Sequence, residues 1–133
     1  MNTRVKNQKG MVSMSKKGKK EWFIADGYMS DTTKGEYVSH EAVCVLNMSG
    51  KKANIDLTIY FEDEEPLCGL HAVCENDRTN HIRLDKIVND QGRKIPRNKP
   101  YAIHVKSDVP VVVQCSRLDV SQPEYSLMTT IAY

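Results

Sequence analysis

A chain of 133 residues has room for one domain with a single core and is too short for two ordinary ones. Hydrophobic residues make up 40% and charged residues 27%, the make-up of a soluble globular protein; the low aromatic share of 7% disfavours a nucleic-acid binder built on stacking platforms. The net charge of +2 conceals an asymmetry, because residues 1–20 carry seven Lys or Arg and no acid, leaving 12 basic against 17 acidic residues elsewhere.

We therefore expect a basic, disordered arm over residues 1–20 and a single domain over residues 21–133. The arm either touches phosphate or anionic lipid or is simply a solvated leader. Met11 and Met14 offer later translation starts that would remove much of it. No apolar stretch reaches the roughly 18 to 20 residues that span a bilayer, and no apolar core follows the basic amino end as in a secretory signal. A cytoplasmic location is the expectation. The four cysteines, Cys44, Cys68, Cys74 and Cys115, then read as reduced thiols. They contain no C-x-x-C, so no structural metal is expected, and no cofactor motif is present.

In chain order the pattern is all-β. "EWFIAD" is a short apolar run ended by Gly27, and "YVSHEAVCVLNM" is a longer one closed by Ser49 and Gly50. "ANIDLTIYF" alternates cleanly, with Ile55, Leu57, Ile59 and Phe61 on one face. After an acidic loop come "CGLHAVCE" and "RTNHIRLD", then the basic loop "GRKIPRNKP" from Gly92 to Pro100. "YAIHVKS", "VPVVVQCSRLD" and "SLMTTIAY" complete the set. About eight short strands at regular spacing predict an antiparallel β-sandwich or barrel. A helical turn fits only around Asp85 to Asn89 or Gln122 to Ser126.

Three constellations could carry chemistry. His40 and Glu41 are adjacent in a strand and so point to opposite faces. One of them lies near the apolar layer and needs a partner, unless the strand end is a solvated rim. Thr79, His81 and Arg83 share a face that could bind a carboxylate, a sugar hydroxyl or a phosphate, or could be a plain solvent face. Arg117 and Asp119 share a face with Val113 and Cys115, while Gln114 and Ser116 take the other. The five donors of Arg117 suit a carboxylate such as Glu41, either as an ion pair closing the core or as the rim of a pocket. No nucleophile elbow and no Gly-rich phosphate loop is present.

With these residues in place, the chain resembles the sensory rhodopsin transducer family over about residues 22–133. The motifs are "W-x-I-A-D-G-Y" from Trp22 to Tyr28, "SHEAVCVLN", "LTIYF" followed by Glu65-Pro66, "RTNHIR", and "VPVVVQCSRLDVSQ…LMTTIAY". The last is the most specific, and the family often has a histidine where this chain has Cys115. The resemblance implies a β-sandwich that assembles as a homotetramer. It also implies a cytosolic, non-enzymatic adaptor that receives a signal from a membrane rhodopsin. For relatives without a rhodopsin it implies a polar pocket for a small ligand such as a sugar, and DNA binding has also been attributed to the family. Residues carried over are His40, Glu41, Arg78, His81, Arg83, Gln114, Arg117 and Asp119, with Trp22 either an aromatic platform for a sugar ring or a core residue.

Three functional readings follow. The first is a ligand-binding signalling module. The alternative is a DNA-binding regulator that uses the arm and the Gly92–Pro100 loop. A third is a carbohydrate-active enzyme with Glu41 and Asp119 as paired carboxylates, which would require a separation of roughly 5 to 9 Å.

Overall fold

The computed structural model describes residues 17–133; residues 1–16, most of the expected arm, lie outside the described residues. Seven strands form: β1 (Lys19–Gly27), β2 (His40–Asn47), β3 (Ala53–Phe61), β4 (Leu67–Cys74), β5 (Arg78–Arg83), β6 (Tyr101–Asp119) and β7 (Ser126–Ile131). Lys19 and Lys20, at the end of the expected arm, open β1. Neither span that could have held a helical turn becomes a helix. The all-β antiparallel class is as expected.

All seven strands join in one sheet, ordered β4-β3-β6-β2-β5, with β1 and β7 also paired to β6. The first half of β6 pairs with β1 and β3, and its second half pairs with β2 and β7. The sheet curls over on itself along this one strand, and its two halves enclose the core. Side chains alternate across each strand, so the register decides who meets inside. Leu70, Leu57, Val105 and Trp22 lie abreast across β4, β3, β6 and β1. Ile82, Val43 and Cys115 lie abreast in the other half. Most of these side chains are fully buried, and each one of leucine or valine size contributes about 1.5–3 kcal/mol by leaving water.

The count is seven strands and not eight because "YAIHVKS" and "VPVVVQCSRLD" are one continuous strand of 19 residues. Pro110 suggests a break, since it cannot donate to a ladder. Its position removes the conflict: β3 accompanies β6 only as far as Ser107, and β2 begins at Val112. The proline falls where β6 passes from one set of neighbours to the next. The Trp22 indole N–H donates to the Val111 carbonyl at 2.8 Å and fixes this corner. Gly18, with φ +104°, packs so closely that a Cβ would lie 2.1 Å from the same carbonyl oxygen, so only glycine fits there.

The segment between β1 and β2 is held by the loop before β6. Arg97 Nη1 donates to the carbonyls of Ser30 and Ser39, both at 2.8 Å. The Asn98 N–H donates to the Met29 carbonyl at 2.8 Å. These bonds fix the backbone at Tyr28, which the site below uses.

Candidate functional site

Inward alternation of β2 places Glu41 on the same face as Val43 and Val45, where its side chain is 1% exposed. Burial of an unpaired carboxylate is costly, so its partners decide whether it can exist there. Three donors reach it. Oε1 accepts the Tyr28 backbone N–H at 2.9 Å and the Tyr101 hydroxyl. Oε2 accepts Arg117 Nε–H at 3.0 Å. Arg117 stands directly opposite Glu41 in the β2–β6 register, which sets this pair. Its Nη2 also reaches the Asp26 carbonyl at 3.4 Å and Asp26 Oδ1 at 3.6 Å.

The titrations follow from this arrangement. Burial and the neighbouring Glu41 charge push the Tyr101 phenol far above its ordinary value, so it remains a donor. Burial works against the Arg117 charge, but Glu41 and Asp26 outweigh it and raise its pKa. Burial, then Glu41, pushes the Cys115 thiol up to about 12, so this cysteine is a small apolar group and not a nucleophile. Gly27 keeps Tyr101 in place by having no side chain, since a Cβ there would lie 2.3 Å from the ring.

A pocket of about 240 Å³ opens above this network. Glu41, Cys115 and Arg117 form its floor, Ile24 to Asp26 one wall, and Met128, Thr130 and Ile131 the other, with Tyr133 at the end. Its origin is topological. β1 and β7 pair with opposite halves of β6 and approach each other where Phe23 and Tyr133 exchange backbone hydrogen bonds.

Of the residues singled out from the sequence, Glu41 and Arg117 come together. His40, His81, Arg83 and Gln114 lie on the opposite face of the sheet. There His81, Cys44, Gln114 and Ile131 form a row across β5, β2, β6 and β7. Arg83 grips Asp85 with two bonds of 2.8 and 2.9 Å. Burial disfavours the Asp85 charge, yet Arg83 outweighs it and holds the carboxyl below its ordinary value. His40 Nδ1 meets the Val38 carbonyl at 3.1 Å. Arg78 is exposed at the far end of β5 and donates to the Asp77 carbonyl at 3.0 Å. Asp119 accepts the Ser121 N–H at 2.8 Å, a bond that lowers its pKa. Trp22 packs against the core in the first half of the sheet and is not among the pocket-lining residues. Tyr101 and Asp26 were not selected as site residues. The signal for Tyr101 was its inward alternation with Ile103 and Val105.

Among the described residues no group of three or more His, Cys, Asp or Glu side chains is placed to hold a metal ion. His71 instead bridges two carboxylates, with Asp56 at 2.6 Å and Asp90 at 3.1 Å. Both hydrogen bonds, Asp56 first, raise its pKa above 6.5. Since the folded value exceeds the unfolded one, the stabilising contribution is complete below pH 6.5 and fades as pH rises through the folded value. An NMR titration of the His71 ring should therefore show a midpoint above 6.5 that falls in Asp56→Asn. A wild-type midpoint at or below 6.5 would contradict the bridge.

Fold and site together define an all-β sandwich module with a single carboxylate–guanidinium network flooring a pocket between two edge strands. Comparison with known proteins gives the lineage. The family model of the Anabaena sensory rhodopsin transducer matches residues 17–133, and the chain belongs to that family. Thermotoga maritima 1070, known from its crystal structure, is 42% identical, with a TM-score of 0.78 over 87% of this chain and 94% of that one. The Anabaena sensory rhodopsin transducer itself is 35% identical, with a TM-score of 0.68 over 80% of this chain and 94% of its own. No curated protein matches the chain. No helix among the described residues is long and apolar enough to cross a membrane.

Proposed function

We propose that this protein is a non-enzymatic, cytoplasmic signalling module of the transducer type that binds a small polar ligand, such as a carbohydrate, between β1 and β7. The observation that carries the reading is the pocket itself, with largely apolar walls above a hydrogen-bonded polar floor. At about 240 Å³ it is smaller than the roughly 300–1,000 Å³ sites of drug-sized ligands and suits a single ring. Glu41 is committed to three donors and Asp119 to a turn, which supports binding over acid–base chemistry. Membership of the family supports a membrane rhodopsin as a partner.

Self-association as a homotetramer is part of the proposal. Every position of β7 is exposed, including Leu127 at 76% and Ile131 at 64%. An apolar edge strand of this kind is a ready surface for pairing with another chain. Nucleic acid takes second place because the Gly92–Pro100 loop has spent much of its charge. Arg97 is held by two carbonyls, and Lys99 sits 2.8 Å from Glu64 and 3.1 Å from Asp63.

Titration calorimetry against a panel of neutral monosaccharides tests the pocket. At least one should bind saturably, and Thr130→Trp, which fills the space, should abolish the heat. Silence across the panel, with intact binding to the cytoplasmic segments of a rhodopsin, would remove the pocket reading and leave the transducer reading standing.

A further inference from the structure

An arginine in a pocket usually suggests an anionic ligand, and here the charges argue the opposite. The side chains of the lining include one cation, Arg117, and two carboxylates, Glu41 and Asp26. Arg117 Nε is bonded to Glu41 at 3.0 Å, and its Nη2 is turned to Asp26, 3.4 Å from the carbonyl and 3.6 Å from Oδ1. An incoming anion that used Nε or Nη2 would have to displace one of these contacts, and any anion would sit beside both carboxylates. The floor is thus neutralised from within.

Asp26 differs from Glu41 in what it has left to offer. Glu41 is buried and accepts three donors. The Asp26 side chain is 85% exposed at the pocket wall, with a single long ion-pair contact to Arg117. A carboxylate has about four lone-pair positions, so Asp26 keeps free acceptors toward anything entering. The remaining wall carries no side-chain charge: Ile24 and Met128 cover an apolar face of the ligand, and Thr130 adds a neutral polar group.

We propose that Asp26 sets the charge selectivity of the pocket, so that it prefers a sugar bearing an ammonium group and rejects the corresponding acidic sugar. The inference rests on the carbohydrate reading above and deepens it. Because Asp26 is solvated, the preference is modest: about threefold for the amino sugar over its neutral parent, the factor supplied by an exposed ion pair. It weakens with added salt. Asp26→Asn removes the charge but keeps the backbone carbonyl that Arg117 reaches, so the floor stays in place.

The test uses matched probes on the full chain: glucose, glucosamine and glucuronate, then galactose, galactosamine and galacturonate. Calorimetry is run at about pH 6, where the amines are protonated. The expected order is amino sugar, neutral sugar, acidic sugar, and Asp26→Asn should bring the first two to equal affinity. An acidic sugar binding as tightly as its neutral parent, or an amino-sugar preference that survives Asp26→Asn, overturns the charge inference alone. Binding of neutral and amino sugars with equal affinity to the wild type overturns it as well. If all six probes fail, the carbohydrate reading falls and the selectivity with it.

Discussion

Replacing Glu41 with alanine should cost about 3 kcal/mol of folding stability, at the lower end of the range for breaking a buried ion pair. The loss comes less from the missing attraction than from what is left behind. The Tyr101 hydroxyl loses its acceptor, and Arg117 keeps its charge over a floor that no longer answers it. Arg117 retains some access to water at 23% exposure, which is why the lower end applies. Glu41→Gln, which keeps an acceptor for Tyr101, should lose less. Urea unfolding measures each, and a double-mutant cycle with Arg117→Met isolates the pair. The double variant should be more stable than the two single losses added together. A loss below about 1 kcal/mol in Glu41→Ala would show that the network does not hold the sandwich.

A comparable loss, about 2–5 kcal/mol, is expected for Leu57→Ala. Leu57 is fully buried and sits between Leu70 and Val105 in the register. Close-packed interiors relax only partly around a deletion, so a cavity remains along with the lost transfer energy. The outer-face leucine Leu46, 41% exposed, provides the contrast: Leu46→Ala should cost less than about 1 kcal/mol. Equal losses at the two positions in urea unfolding would mean that the assignment of inner and outer faces is wrong.

How far the sequence discloses the structure depends on whether the relevant signal is local. β3 covers the span of "ANIDLTIYF" because alternation and the bounding turns are both local. The unity of β6 was hidden, since a proline inside an apolar run reads as a break until the positions of β2 and β3 are known. For the site, inward alternation brings Glu41 into line with Val43 and Val45, and the fork of Arg117 makes it a natural partner. Tyr101 and Asp26 complete the network from 60 and 15 residues away, and no spacing rule reaches that far. His81 and Gln114 are polar, as Glu41 is, but lie on the other face. Alternation gives the faces within each strand; only the register between strands says which of them look the same way.

The placement of β6 also bears on how the chain is made. This strand is the common partner of four others, yet it occupies residues 101–119 of 133. During synthesis β3 can pair with β4 as a hairpin, and β2 can pair with β5 across the β3–β4 segment that lies between them in sequence. Neither fragment can be joined to the other, and β1 has no neighbour, until β6 leaves the ribosome. The nascent chain thus carries two unjoined ribbons with open edges for most of its synthesis, the condition in which long-range β pairing is slow and association with other chains competes. Chaperone dependence should therefore be greatest for chains stalled just short of residue 101, and should fall once β6 is free to close both ribbons.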